Sequence, residues 1–192
     1  MIRKDASTAP HKTRYDIQRL NRLLNVRSRV VRASPKKRIA NFGSTFVYVT
    51  YIRTTPEKLW HALTTPEIIK QYRFGMSVES EWKVGSTWRM YADGSLMDSG
   101  EILESVPQKR LVMSWLNQWK PEFKAEGNSR CVYEIEPTGA SAKLTLTHSI
   151  ERPNSKFIGA VSEGWPMVTS NLKSLLETGD VALVYHRHAT KR

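Results

Sequence analysis

Residues 163 to 179 read EGWPMVTSNLKSLLETG. Trp165, Val168, Leu172, Leu175 and Leu176 recur in the stripe of an amphipathic helix, and Gly179 stands where a left-handed C-cap residue belongs. The entrance is less regular, because Gly164, Trp165 and Pro166 set a bulky aromatic beside a helix breaker. Proline is accepted in a first helical turn but bends a helix when deeper, where it removes a hydrogen bond and strikes the preceding carbonyl. The stretch predicts a helix start or bend between Ser162 and Pro166; a helix beginning back near Ser155 would bend at the proline instead. In either case Trp165 is expected to face inward, as a plug beside a hinge.

A helix of this kind has to bury its stripe, and the chain upstream supplies an apolar sheet for it. TFVYVTYIR, 45 to 53, is β-branched and aromatic throughout and predicts a strand, with both faces apolar. Thr55-Pro56-Glu57 and Thr65-Pro66-Glu67 then repeat one helix-start signal: an N-cap threonine, proline at the first helical position, and glutamate at the positive end of the dipole. Two short helices are expected, with Leu59, Trp60 and Leu63 on the apolar face of the first and Ile68, Ile69 and Tyr72 on that of the second.

After Gly75 the texture changes to short strands with turn signals between them, Asp93-Gly94 being the clearest hairpin turn. The strands fall at about 77–81, 87–91, 99–105, 110–117, 129–136 and 142–150, an antiparallel meander. Alternation sets Trp88 and Met90 on one face, then Leu111, Met113 and Trp115, then Cys131, Tyr133 and Ile135, then Leu144, Leu146 and His148. Glu134, Glu136, Thr145 and Thr147 lie between them and suit solvent. The closing helix is therefore expected to lie across the inner face of the sheet.

The 192 residues suit one domain, and the 40% hydrophobic fraction excludes wholesale disorder. Charge is uneven. Of the net +12, residues 1 to 41 hold 12 Lys/Arg against 2 Asp/Glu, leaving 18 against 16 for everything after. The expected organisation is a basic extension over 1–41, helical or disordered, a folded domain over 42–179, and a tail over 180–192. Three readings of the extension stay open: an organelle-targeting presequence, an arm for RNA or acidic membrane surfaces, or a dispensable extension. No nucleic-acid motif accompanies the charge, so no specific nucleic-acid partner is expected. No run is long and apolar enough to span a membrane, and a lone Cys131 fits a reducing compartment. A cytoplasmic location is the expectation, with an organelle matrix as the alternative if the extension is a presequence.

The order of these elements, together with TPEKLWHALTTPE at 55 to 67, VGSTWRM at 84 to 90, SGEILESVPQKRLVMSW at 99 to 115, KLTLTH at 143 to 148 and GWPMVTSNLKSLLETG at 164 to 179, resembles the START-like (SRPBCC) superfamily. Within it, the chain is similar to the branch named after homologues of the activator of the heat-shock-protein-90 ATPase. The resemblance implies an α+β helix-grip fold, with about seven antiparallel strands curved around a long C-terminal helix and two short helices after the first strand. It also implies a cavity between sheet and helix that holds a small hydrophobic molecule. The family's namesake co-chaperone carries a further N-terminal domain that makes much of its chaperone contact, and 41 residues are too few for that domain.

Within this frame Trp88, Met90, Met113, Trp115, Tyr133, His148, Trp165 and Met167 are the expected ligand-binding residues: methionines adapt to a guest, and the aromatics offer flat faces with a polar edge. Each of them can equally serve as core. No catalytic motif occurs. His148, Tyr133 and Glu101 are the leading acid–base candidates for the alternative, a polyketide cyclase- or aromatase-like enzyme. His186 and His188 lack the further ligands of a metal site, His61 is expected to face outward, and neither metal nor cofactor is expected. The expected partner is a small hydrophobic molecule; a homodimer and a chaperone contact remain alternatives.

Overall fold

The computed structural model describes residues 43–184. The expectations for the basic extension and for His186 and His188 lie outside the described residues. Seven strands form one antiparallel sheet: β1 (Ser44–Ile52), β2 (Ser77–Ser80), β3 (Thr87–Ala92), β4 (Ser95–Val106), β5 (Arg110–Asn117), β6 (Ser129–Thr138) and β7 (Ser141–Ile150). The helices are α1 (Pro56–Thr64), α2 (Pro66–Tyr72), α3 (Pro121–Lys124) and α4 (Lys156–Thr178). The spatial order β1-β7-β6-β5-β4-β3-β2 is the expected meander closed by the first strand. Short α3 carried no apolar periodicity and is an addition to the sequence reading.

Local chemistry explains most of the boundaries. Thr55 caps α1 by accepting from the Lys58 N–H at 3.3 Å. Its counterpart Thr65 makes no such cap; its hydroxyl pairs instead with His61 Nδ1 at 3.0 Å. The Asp93-Gly94 turn has φ of 49° and 77°, the double left-handed geometry of a tight hairpin. Gly100 is required by a close approach: a Cβ there would stand 2.0 Å from the Ser114 carbonyl oxygen. This crossing lets the Trp88 indole donate to the same carbonyl at 2.9 Å.

The long helix starts earlier than the favoured reading placed it. Ser155 is its N-cap, accepting from the Ile158 N–H at 3.0 Å. Glu126, from the loop before β6, reinforces that cap by bonding the Ser155 hydroxyl and accepting from the Lys156 N–H at 2.9 Å. Nothing in the local sequence points to a carboxylate some thirty residues away, which is why Ser155 was the less favoured start. Pro166 consequently lies inside the helix. Thr169 and Ser170 bond the carbonyls of Trp165 and Pro166 at 2.8 and 2.7 Å, holding this turn together. Gly179 ends the helix in the left-handed conformation, as expected.

Inward rows from β3, β5, β6 and β7 pack with α1, α2 and α4 into one core. On β1 the inner row is Phe46, Tyr48 and Ile52, while Val47, Val49 and Tyr51 face outward. Residues 180–184, read as tail, are tied to α4: buried Asn171 donates to the Leu183 carbonyl at 3.0 Å and accepts from its N–H at 2.7 Å. No helix among the described residues is long and apolar enough to cross a membrane.

Candidate functional site

The interior between sheet and α4 has a closed part and an open part. In the closed part His148 is completely buried, and its two ring nitrogens are both engaged. The Trp165 indole N–H donates to Nδ1 at 3.1 Å, and Nε2 lies 2.8 Å from the Ser129 hydroxyl, which itself donates to the Trp115 carbonyl at 3.0 Å. These donors and acceptors are mutually consistent only for the neutral Nε2–H tautomer. Burial, with the nearby Arg73 charge adding to it, lowers the His148 pKa to about 3. Trp115 joins the rings, its centroid 4.5 Å from Trp88 in a tilted contact and 5.7 Å from Trp165 in a T-shaped one. Beneath Arg73, Trp88, Met113 and Tyr133 surround a void of only about 20 Å³, room for a single water.

The open part is a cavity of about 380 Å³. Met90, Trp115 and Trp165 form its floor, Phe123 and Phe157 one wall, and Val161, Gly164 and Val168 of α4 the other. A recess of about 580 Å³, sharing Met76, Met97, Trp119, Gly164 and Val168, leads on from it to the surface. At the back stands Arg73, the C-cap of α2, only 9% exposed. Its Nη2 donates to the Tyr133 hydroxyl at 2.9 Å and its Nη1 to the Met90 sulfur at 3.7 Å. The guanidinium carbon lies 4.8 Å from the Trp165 ring centroid and 5.7 Å from that of Trp115. Asp98 of β4, also buried, accepts from Asn117 Nδ2 of β5 at 2.9 Å. Burial raises the Asp98 pKa, against the lowering effect of Trp115, Asn117 and Arg73.

Of the eight residues expected to bind ligand, the structure brings Met90, Trp115 and Trp165 to this cavity. Trp88, Met113 and Tyr133 face the small void, and His148 is sealed beneath Trp165. Met167 is 43% exposed and lines only the outer recess, because the α4 stripe through Trp165 and Val168 leaves it on the flank. The acid–base candidates do not converge. Glu101 is exposed on the outer face of β4, where its backbone N–H bonds Ser114, and Tyr133 is held by Arg73 with its pKa pushed well up by burial. Cys131 is fully buried on the inward row of β6, and burial pushes its thiol up to about 12, so it serves as a small hydrophobe.

Arg73, Asp98 and Asn117 were missed, although their spacing carried a signal. Arg73 is four residues after Ile69 on the same helical face; Asp98 and Asn117 occupy inward positions of rows that hold Ile102 and Trp115. A polar residue that continues an apolar row belongs either to a seal or to a site, and the apolar members of these rows alone do not reveal it.

A seven-stranded antiparallel sheet gripping a long C-terminal helix, with an interior cavity at one end, defines the helix-grip class of START-like proteins. More narrowly, the family model described as Activator of Hsp90 ATPase homolog 1-like protein matches residues 53–177, and the chain belongs to that family. Protein MLL2253 from Mesorhizobium loti is similar at 30% identity and TM-score 0.63, over 72% of this chain and all of that one. The Aha1 dimer from Colwellia psychrerythraea shares the fold at 20% identity and TM-score 0.60, over 71% of this chain and 98% of its own. DynU16, from the dynemicin biosynthetic locus, does so at 19% and 0.59, over 71% of this chain and 48% of its own. No curated protein matches the sequence.

Proposed function

We propose that the domain binds a small hydrophobic molecule in the cavity between the sheet and α4, without transforming it. The observation that carries this reading is the cavity itself: about 380 Å³, walled by aromatic, methionine and valine side chains, with a few polar groups at one end. Ligand sites commonly occupy roughly 300–1,000 Å³ and show that same mixture. Against a cyclase-like reaction stands the state of its candidate groups. His148 is neutral with both nitrogens engaged, Tyr133 is tied to Arg73, and Glu101 is outside.

The test uses an uncharged fluorescent probe, N-phenyl-1-naphthylamine, titrated into the full chain. Gly164 faces the cavity, and a Cβ built there meets nothing within 4 Å, so Gly164→Leu should fill the space while the fold persists. Saturable binding that this substitution abolishes supports the reading. Equal binding by both proteins would sink it.

A second reading rests on a different surface. Val47, Val49 and Tyr51 are about half exposed in one row on the edge strand β1, an apolar stripe suited to a protein partner, whether a second copy or a chaperone. Val49→Lys should weaken such an association in sedimentation or pull-down measurements and leave probe binding unchanged.

A further inference from the structure

We propose that the cavity selects an anionic amphiphile, a compact apolar body bearing one carboxylate-sized oxyanion, and that the oxyanion docks on Arg73. This rests on the ligand-binding reading above and adds the chemistry of the guest.

Arg73 is a buried cation whose hydrogen-bond partners are neutral, and the one acid whose titration it influences, Asp98, is bonded to Asn117. No ion pair among the described residues includes it. Its neighbours are a phenol, a thioether and two indole faces, with the Tyr72 phenol close by. A guanidinium carries five N–H donors in a rigid fork and does not lose its charge in proteins. Bonds to the Tyr133 and Tyr72 phenols and a weak contact with sulfur leave part of that fork unused, and Arg73 lines the cavity. Burying a charge without a counter-charge is costly, and an oxyanion accepting two N–H groups is the partner the fork fits best.

The other charged groups at the cavity narrow the choice. Asp98 is turned to Asn117, and Lys120 sits at the rim, its Nζ 5.0 Å from the Trp119 ring centroid and 5.1 Å from that of Phe123. Two cations against one acid leave the cavity net positive. A neutral guest would leave Arg73 without a carboxylate in ion-pair contact, a cation would be repelled, and a dianion would meet Asp98. A monoanion on an apolar body pairs with the cations at the least repulsion from Asp98.

Two probes with the same anilinonaphthalene body decide the matter: 1-anilinonaphthalene-8-sulfonate, which is anionic, and uncharged N-phenyl-1-naphthylamine. Both are titrated by fluorescence into the full chain in high salt, which screens the basic residues 1–41. Wild type should bind the sulfonate about tenfold more tightly than the amine, as a charge-assisted bond predicts. Arg73→Met should erase that preference and leave the amine bound, and Arg73→Lys should retain part of it. Equal affinities in wild type, or a preference that survives in Arg73→Met, would overturn the proposal. So would a preference lost in Lys120→Gln and kept in Arg73→Met, since the rim would then be the anion site. If Arg73→Met fails to fold by circular dichroism, the wild-type ratio and Arg73→Lys still decide. Binding of neither probe would instead remove the ligand-binding reading on which this one rests.

Discussion

The two ends of the gripped interior are made from the same rows of side chains and behave as opposites. At the closed end, His148, Ser129, Trp115 and Trp165 exchange hydrogen bonds until each polar atom has a partner, and beside them only about 20 Å³ stays empty. At the other end, Arg73, Asp98 and Asn117 also continue apolar rows, yet Arg73 keeps unused donors and about 380 Å³ stays open. A polar residue in a core row therefore does not foretell a site. What separates a seal from a site is whether the polar group is satisfied by the protein alone.

The largest effect expected from this contrast is on Trp165, which belongs to both ends. Trp165→Ala deletes the donor to His148, the T-shaped contact with Tyr133 at 5.9 Å and the ring facing Arg73. A loss of about 3–5 kcal/mol is expected in urea unfolding at neutral pH, as for other buried aromatics. A loss below ~1 kcal/mol would mean that the seal does not stabilise the domain, and the contrast would collapse.

Next in size is a dependence on pH that differs in sign between the two ends. The His148 pKa falls from 6.5 to about 3 on folding, so the unfolded chain takes up the proton first as pH drops. The contribution of neutral His148 is complete above about pH 6.5 and drains away as pH falls toward about 3, by at most about 1.4 kcal/mol per pH unit. In His148→Gln this part of the slope should vanish. Asp98 acts the other way: its folded pKa is raised by burial, so its carboxylate reduces stability once pH rises above the ordinary aspartate range. Asp98→Asn should therefore raise stability at neutral pH by a smaller amount and tighten the anionic probe. A decrease in stability, with the anionic probe still tightened, would show that the Asp98 carboxylate serves as a counter-charge to Arg73.

How much of this was legible follows the range of the interactions. Strand alternation, the paired Thr-Pro-Glu starts, Asp93-Gly94 and Gly179 act within a few residues, and they placed the sheet, two helices and the C-cap of the third. The start of α4 depends on Glu126, and the seal depends on Ser129 meeting His148 across two strands; both are contacts that no local pattern carries. The cavity was legible in its apolar walls and not in its polar end. Arg73, after Tyr72 at the end of a short helix, looks like a terminal surface cation until the chain turns through Phe74 and Gly75 at φ of 55° and 84° and leaves it beneath the sheet.

The smallest expected effect concerns the glycine and the proline that share α4. Pro166 removes a backbone donor from the middle of α4, and Gly164 adds backbone freedom two residues earlier, so both are local costs in a helix otherwise well capped. If Gly164 existed for the backbone, alanine would be strained there; yet the residue is helical and a Cβ would point into open space. Gly164→Ala should then stabilise the domain by up to about 1 kcal/mol, the helix preference of alanine over glycine, while weakening the uncharged probe by narrowing the cavity wall. A stabilised protein that binds less would show the glycine to be kept for the space beside it. A destabilised one would return it to the role of a hinge, and the open end would have to move to be useful.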